Sequence, residues 1–208
     1  MLDEIEAIDS YSSEVFRFVA WRQAAEVLAE MGLNTEDMES IRAALPGIVF
    51  GETPEDLLED PFRRLNTGKT PQQSRFSDGL IRVFYSATEW QTSRDEALNW
   101  IYAKTTWSFA HYRLLCCIVT GRVKDLRMHI DRMPYLIADD GYPQCNQIAH
   151  AAINEQLHGL LTPSARRPTG TCVPVFRRDS LSRPNVGPDL FIFACDREMG
   201  TREVREIT

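Results

Sequence analysis

Apolar residues between Ser12 and Met31 recur at helical spacing. Phe16, Val19, Ala20, Ala24, Val27, Leu28 and Met31 fall on one stripe, with Ser12 or Ser13 placed to cap it and Gly32 and Asn34 to stop it. A second short helix is predicted after Asn34-Thr35, carrying Met38, Ile41 and Leu45 before Pro46-Gly47. Thr53-Pro54-Glu55-Asp56 predicts a third start: a Thr cap, Pro at the first helical position and acids in the first turn. Residues 1–60 therefore read as a helical N-terminal extension.

The pattern changes after Pro61. Residues 66–74 (NTGKTPQQS) are rich in turn formers and predict a loop. Leu80 to Ala87 is dense in β-branched and aromatic residues and predicts a strand. Ser93-Arg94-Asp95-Glu96 opens a helix expected to reach about residue 104. Tyr112 to Thr120 reads as a strand, Asn146 to Gln156 as a helix, and Gly159–Ser164, Cys172–Phe176 and Leu190–Phe193 as short strands between Pro- and Gly-bearing turns. The fold class expected is α+β, with a helical region over 1–60 followed by a strand-bearing domain over 61–208.

Charge and cysteine content narrow the chemistry. The 208 residues carry a net charge of −7, a poor basis for direct nucleic-acid or anionic-membrane binding, which needs clustered cations. Of the 23 basic residues only Lys69, Lys104 and Lys124 are lysines. Arginine grips phosphate and carboxylate in a bidentate fork, so a phosphorylated small molecule remains open as a ligand, beside the alternative of a codon habit. Five cysteines (Cys116, Cys117, Cys145, Cys172, Cys195) with no CxxC predict buried free thiols in a reducing compartment. The four histidines lack metal-ligand spacing, and no metal is expected. MLDEIEAIDS is acidic and lacks an apolar core, and no stretch approaches the ~20 apolar residues of a membrane span, so a cytoplasmic location is expected.

No P-loop, GxGxxG, nucleophile elbow or HExxH occurs. Three local constellations remain. Ser74-Arg75-Phe76-Ser77-Asp78-Gly79 sets an arginine before a tight turn, either to fork onto a pyrophosphate or merely to face solvent. Tyr85 ends a strand and Glu96 follows it by eleven residues, so a strand-loop-helix return can bring both to one cleft. Ser93-x-x-Glu96 also fits a capping box, in which the glutamate serves its own helix. Leu160 to Arg167 ends a strand in Pro-Ser with two arginines behind it, and Ser164 has no activating histidine beside it in sequence.

Taken in order, these pieces resemble the RES domain family over roughly residues 62–195. Phe62-Arg63-Arg64-Leu65 stands where members carry an apolar-Arg pair, with Arg64 favoured because Leu follows it. Arg75-Phe76 resembles the next turn, Tyr85 follows that arginine by ten residues, and Glu96 follows by eleven more. Gln147-Ile148-Ala149 and the Gly159–Ala165 strand complete the set, with Cys172 to Phe176 closing it. Ser74 stands where the family usually has Gly, and Ala97-Leu98 follow Glu96 instead of preceding it; Glu89 is the alternative carboxylate.

The resemblance implies an ADP-ribosyltransferase-like split β core with flanking helices. It implies an NAD-cleaving toxin of a toxin–antitoxin pair, acting as an NAD glycohydrolase or phosphorylase. NAD would then be substrate, not cofactor, with phosphate a co-substrate in some members and an Xre-type antitoxin as partner. Arg64 and Arg75 would hold pyrophosphate or phosphate, Tyr85 would stack on nicotinamide, Glu96 would stabilise the charge building on ribose, and Ser164 would orient the substrate. The alternatives are a mono-ADP-ribosyltransferase modifying a protein target and a non-catalytic interaction module.

Overall fold

The structure is a computed structural model that describes residues 2–19, 53–63, 73–104 and 107–207, the side chains of 104–110 excepted. It is a mixed α+β fold built on a seven-stranded sheet. The strands are β1 (Ala7–Val19), β2 (Phe84–Ala87), β3 (Trp107–Asp125), β4 (Gly159–Pro163), β5 (Thr171–Val175), β6 (Leu181–Asp196) and β7 (Thr201–Ile207); the helices are α1 (Pro54–Glu59), α2 (Trp90–Lys104) and α3 (Tyr142–Asn154). Sheet order is β1-β2-β5-β4-β3-β6-β7, and β1 also pairs with β3. The extra pairing closes β1, β2, β5, β4 and β3 into a ring, from which β6 and β7 continue along β3. Among the described pairings only β3–β4 is parallel. Closure removes the free edges of the short strands β2, β4 and β5.

The helix expected from Ser12 onward is overturned within the described residues. Tyr11 to Val19 is a strand, in register with β3 from Tyr11↔Gly121 to Val19↔Arg113. From Val15 onward both of its faces are covered. Val15 and Val19 join the ring interior with Phe84, Leu115, Val119 and Val173, while Phe18 turns outward onto Phe191 and Phe193. A strand buried on both faces shows no clean polar alternation, and its apolar residues matched a helical stripe by coincidence. The second expected helix and most of the first lie outside the described residues. The third start is as expected: Thr53 caps α1, its hydroxyl accepting from Asp56 N and Asp56 accepting from Thr53 N.

Strand residues one apart face different clusters, as a pleat requires. Val83 and Leu160 pack under α3 with Ile148, Ala149 and Leu157, whereas Phe84 and Leu161 enter the ring. α2 lays Ala97, Leu98, Ile101 and Tyr102 over Phe18, Phe191 and Phe193. Phe18 and Phe191 meet edge to face with centroids 5.0 Å apart. β7, a two-residue-period hairpin partner of β6, was not anticipated; its face is largely exposed, so it carries little apolar signal.

α2 starts at Trp90, three residues earlier than expected, because Glu89 anchors its first turn. The Glu89 carboxylate accepts from Thr88 Oγ1 (2.6 Å), Thr92 Oγ1 (2.9 Å) and Thr171 N (3.3 Å). Burial pushes its pKa up, but these hydrogen bonds and the charge of Arg167 hold it below the usual value. A depressed carboxylate supplies stability above its unfolded pKa and loses it as pH falls through the folded one. Glu89→Gln should therefore flatten the acid limb of a Tm-against-pH curve below the ordinary glutamate range. An unchanged acid limb would show that other carboxylates set it.

Candidate active site

β4 and β5 form a hairpin whose turn, residues 164–170, lies against α2. Glu96 is the seventh residue of α2. Its Oε1 accepts from the Ser164 hydroxyl at 2.5 Å and from Ala165 N at 3.1 Å. The Cys172 thiol, at the start of β5, lies 3.7 Å from the same oxygen. Oε2 makes no hydrogen bond among the described residues. The capping-box alternative fails: Ser93 lies inside the helix, and its hydroxyl accepts from Phe18 N of β1 at 3.2 Å.

Ser164 is buried, and its hydroxyl is fully used. It gives its proton to Glu96 and accepts from Arg166 N and Arg167 N, both at 3.1 Å. A donor so committed fixes the carboxylate. Cys172 has a pKa well above the ordinary thiol value, first through burial and then through the charge of Glu96. It is a packed thiol, not a thiolate nucleophile.

Tyr85 and Arg75 form the second half of the cluster. Tyr85, on β2, sends its hydroxyl to the 74–77 turn: Ser74 Oγ lies 2.7 Å away and Phe76 N donates at 3.0 Å. Burial pushes its pKa up to about 12, so it remains a phenol at any physiological pH. Tyr85 thereby ties the turn that carries Arg75. Arg75 Nη1 donates to the carbonyls of Ala138 (2.8 Å) and Tyr135 (3.2 Å), and its guanidinium lies 5.1 Å from the Tyr142 ring centroid. No carboxylate pairs with it among the described residues. Cys172 lies beside Glu96, and the positive charge of Arg75 also acts on its thiol.

Glu96 and Ser164 are thus brought together, as are Tyr85 and the turn that carries Arg75, from four separate stretches of chain. Arg64 lies outside the described residues. Arg63, the other reading of that position, is engaged locally, with Asp56 at 2.7 Å and Asp60 at 3.4 Å. Glu89 is absorbed by the start of α2. Sequence reading missed Cys172 and the carbonyl grip on Arg75, since backbone acceptors leave no residue signature. A groove of about 450 Å³ beside α3, lined by Leu80, Ile153 and Phe176 among others, contains none of the cluster residues.

The grip on Arg75 depends on Gly141, the residue before α3. A Cβ there would lie 2.0 Å from the Tyr135 carbonyl oxygen and under 3 Å from two further Tyr135 backbone atoms. Backbone cannot yield as a flexible side chain does. Gly141→Ala should cost about 1–3 kcal/mol of stability and shift the carbonyl that holds Arg75. Urea unfolding checks the first effect, and anion titration the second.

An α+β domain with a carboxylate-centred cluster at the β4–β5 turn, flanked by a guanidinium, is the class these features define. Residues 48–192 match the RES domain family, more than two thirds of the chain, and the protein belongs to that family. No curated protein sequence matches it significantly. Among solved structures it is similar to one titled as the M. tuberculosis MbcT–MbcA toxin–antitoxin complex, at 18% identity over 89% of each chain and a TM-score of 0.47. No described helix is long and apolar enough to cross a membrane.

Proposed function

We propose that the protein is a toxin that cleaves NAD at the nicotinamide–ribose bond, within an ADP-ribosyltransferase-like core. The observation that carries this reading is the Glu96 carboxylate, pinned through one oxygen by Ser164 and Ala165 N with its other oxygen uncommitted. Membership of the RES domain family supports a dinucleotide as the substrate class.

The chemistry follows from charge. The C–N bond breaks with its electron pair going to the pyridine nitrogen, so nicotinamide leaves neutral and needs no strong general acid. Positive charge builds on the ribose, as in other glycosidic cleavages. A preorganised carboxylate stabilises that charge without reorganising, and its free oxygen can hold a ribose hydroxyl. Water or phosphate then forms the new C–O bond; with water, the displaced proton passes to solvent. Arg75 holds the pyrophosphate or the incoming phosphate by its guanidinium fork. Tyr85 positions Arg75 through the turn, and its half-buried ring would stack on nicotinamide. Ser164 is a positioning residue that acts through Glu96. An antitoxin, of the Xre type in the family resemblance, would be the partner, and the producing cell's cytoplasm the compartment.

The test is incubation of the purified chain with NAD, with and without phosphate, followed by product analysis. Nicotinamide should appear in both, with free ADP-ribose in water and its phosphate ester when phosphate is present. Label on protein instead would make it a transferase. No nicotinamide release, together with an unchanged NAD pool in a growth-arrested bacterial host, would refute the reading.

A further inference from the structure

Arg166 stands two residues beyond Ser164 and is held by partners on three separate segments. Its Nη2 lies 2.6 Å from Asp139 Oδ1. Its Nε and Nη2 also point at the side-chain amide of Asn99 on α2, which, with its oxygen turned toward them, accepts at 3.0 and 3.2 Å. Its backbone N–H is held by Ser164. The guanidinium is thus fixed from the protein side by the same turn and the same helix that fix Glu96. The two partners of the ion pair differ sharply: the Arg166 side chain is 24% exposed and that of Asp139 is 81% exposed.

Asp139 directly follows Ala138, whose carbonyl Arg75 grips at 2.8 Å. The segment that receives one guanidinium therefore presents its carboxylate to the other. Asp139 is held below the usual aspartate range by the Arg166 hydrogen bond, then by the charges of Arg166 and Arg75. One exposed carboxylate, paired with Arg166, thus belongs to the residue next in the chain to the carbonyl that holds Arg75.

We propose that Arg166 is a second guanidinium of the anion site formed with Arg75, and that Asp139 is the resident counter-ion which an incoming pyrophosphate displaces. The anion's identity rests on the dinucleotide reading above; the geometry of the two arginines does not. An exposed carboxylate pair is weakly held. A pyrophosphate carries more charge and several acceptor oxygens, and it satisfies two planar forks better than one carboxylate can. The exchange needs no rearrangement of the fold, since Asp139 and Asp140 are both exposed.

The test is calorimetric titration of the full chain with inorganic pyrophosphate, run beside NAD turnover. Asp139→Asn should tighten pyrophosphate binding roughly threefold or more, since the internal competitor loses its charge. Arg166→Gln should weaken it about tenfold, with Arg166→Lys recovering only part because it lacks the fork. Asp140→Asn, which removes the same charge one residue away, should shift it less than Asp139→Asn does. NAD KM should follow these shifts while kcat moves less. Asp139→Asn binding no tighter than Asp140→Asn, Arg166→Gln binding like wild type, or no pyrophosphate binding at all would each overturn the inference. If the shifts occur but NAD is not turned over, the anion site stands and the NAD reading falls. If NAD is turned over but the variants do not differ, the reverse holds.

Discussion

Glu96→Gln should lower kcat for nicotinamide release by about 10²–10³-fold, on the order of 3–4 kcal/mol of transition-state stabilisation. The substitution is nearly isosteric. The glutamine carbonyl oxygen can take the place of Oε1 and accept from Ser164 and Ala165 N, so the β4–β5 turn should stay docked on α2. What is lost is the negative charge, which matters most when positive charge develops on the ribose. KM should therefore change little while kcat falls, the signature of an interaction made mainly in the transition state. Ser164→Ala should fall between wild type and Glu96→Gln, because Ala165 N still holds the carboxylate but its rotamer is freer. In a bacterial host, Glu96→Gln should relieve growth arrest and restore the NAD pool. A variant with kcat within a few-fold of wild type and an unchanged Tm would remove Glu96 from the chemistry.

The four residues were legible only as an ordered set. Arg75 at a turn, Tyr85 in a strand, Glu96 on the following helix and Ser164 just past a strand follow from turn chemistry and periodicity, but local chemistry left each open to a plainer reading, and the resemblance to the RES domain family singled them out. How they meet was not legible. Ser93-x-x-Glu96 satisfied a capping rule, and only the Glu89 anchor with its three donors shows that α2 begins earlier. That anchor draws on Thr171, 82 residues away, and pairings so distant leave no local trace. The roles shifted for the same reason. The resemblance implied that Tyr85 stacks on nicotinamide and Ser164 orients the substrate; the structure commits the Tyr85 hydroxyl to the Arg75 turn and the Ser164 hydroxyl to Glu96.

The error over β1 has a different origin. Val15, Phe16, Phe18 and Val19 include β-branched and aromatic residues, which favour a pleated surface. Phe16 and Val19 also fall on a helical stripe, which Ala20, Ala24, Val27, Leu28 and Met31 extend. What decides the matter is β3, more than ninety residues later, which offers an unbroken partner edge from Arg113 to Gly121. Tertiary pairing overrides a local period when the partner is long enough to satisfy every backbone group.

The largest effect on stability should come from a residue outside the cluster. Lys124, at the end of β3, is only 3% exposed. Its ammonium donates to Glu155 Oε2 at 2.5 Å and to the Leu2 carbonyl at 2.9 Å. It therefore joins β3, the end of α3 and the N-terminal turn at one point. Glu155→Leu would leave a buried cation with one neutral acceptor, and breaking such a pair costs about 3–5 kcal/mol. For a chain of this size that corresponds to a Tm lower by on the order of 10 °C. Lys124→Met in the same background should recover most of the loss, because no charge then remains buried. The exposed Arg122–Asp9 pair is the comparison: Asp9→Asn should cost less than about 1 kcal/mol. Thermal unfolding of the two single variants, the double variant and the surface control separates the explanations. If Glu155→Leu and the double variant unfold at the same temperature, the cost is one of lost packing at the end of α3. If the double variant returns toward wild type, the cost is that of the stranded ammonium, and Glu155 is there to neutralise the charge that Lys124 brings into the core.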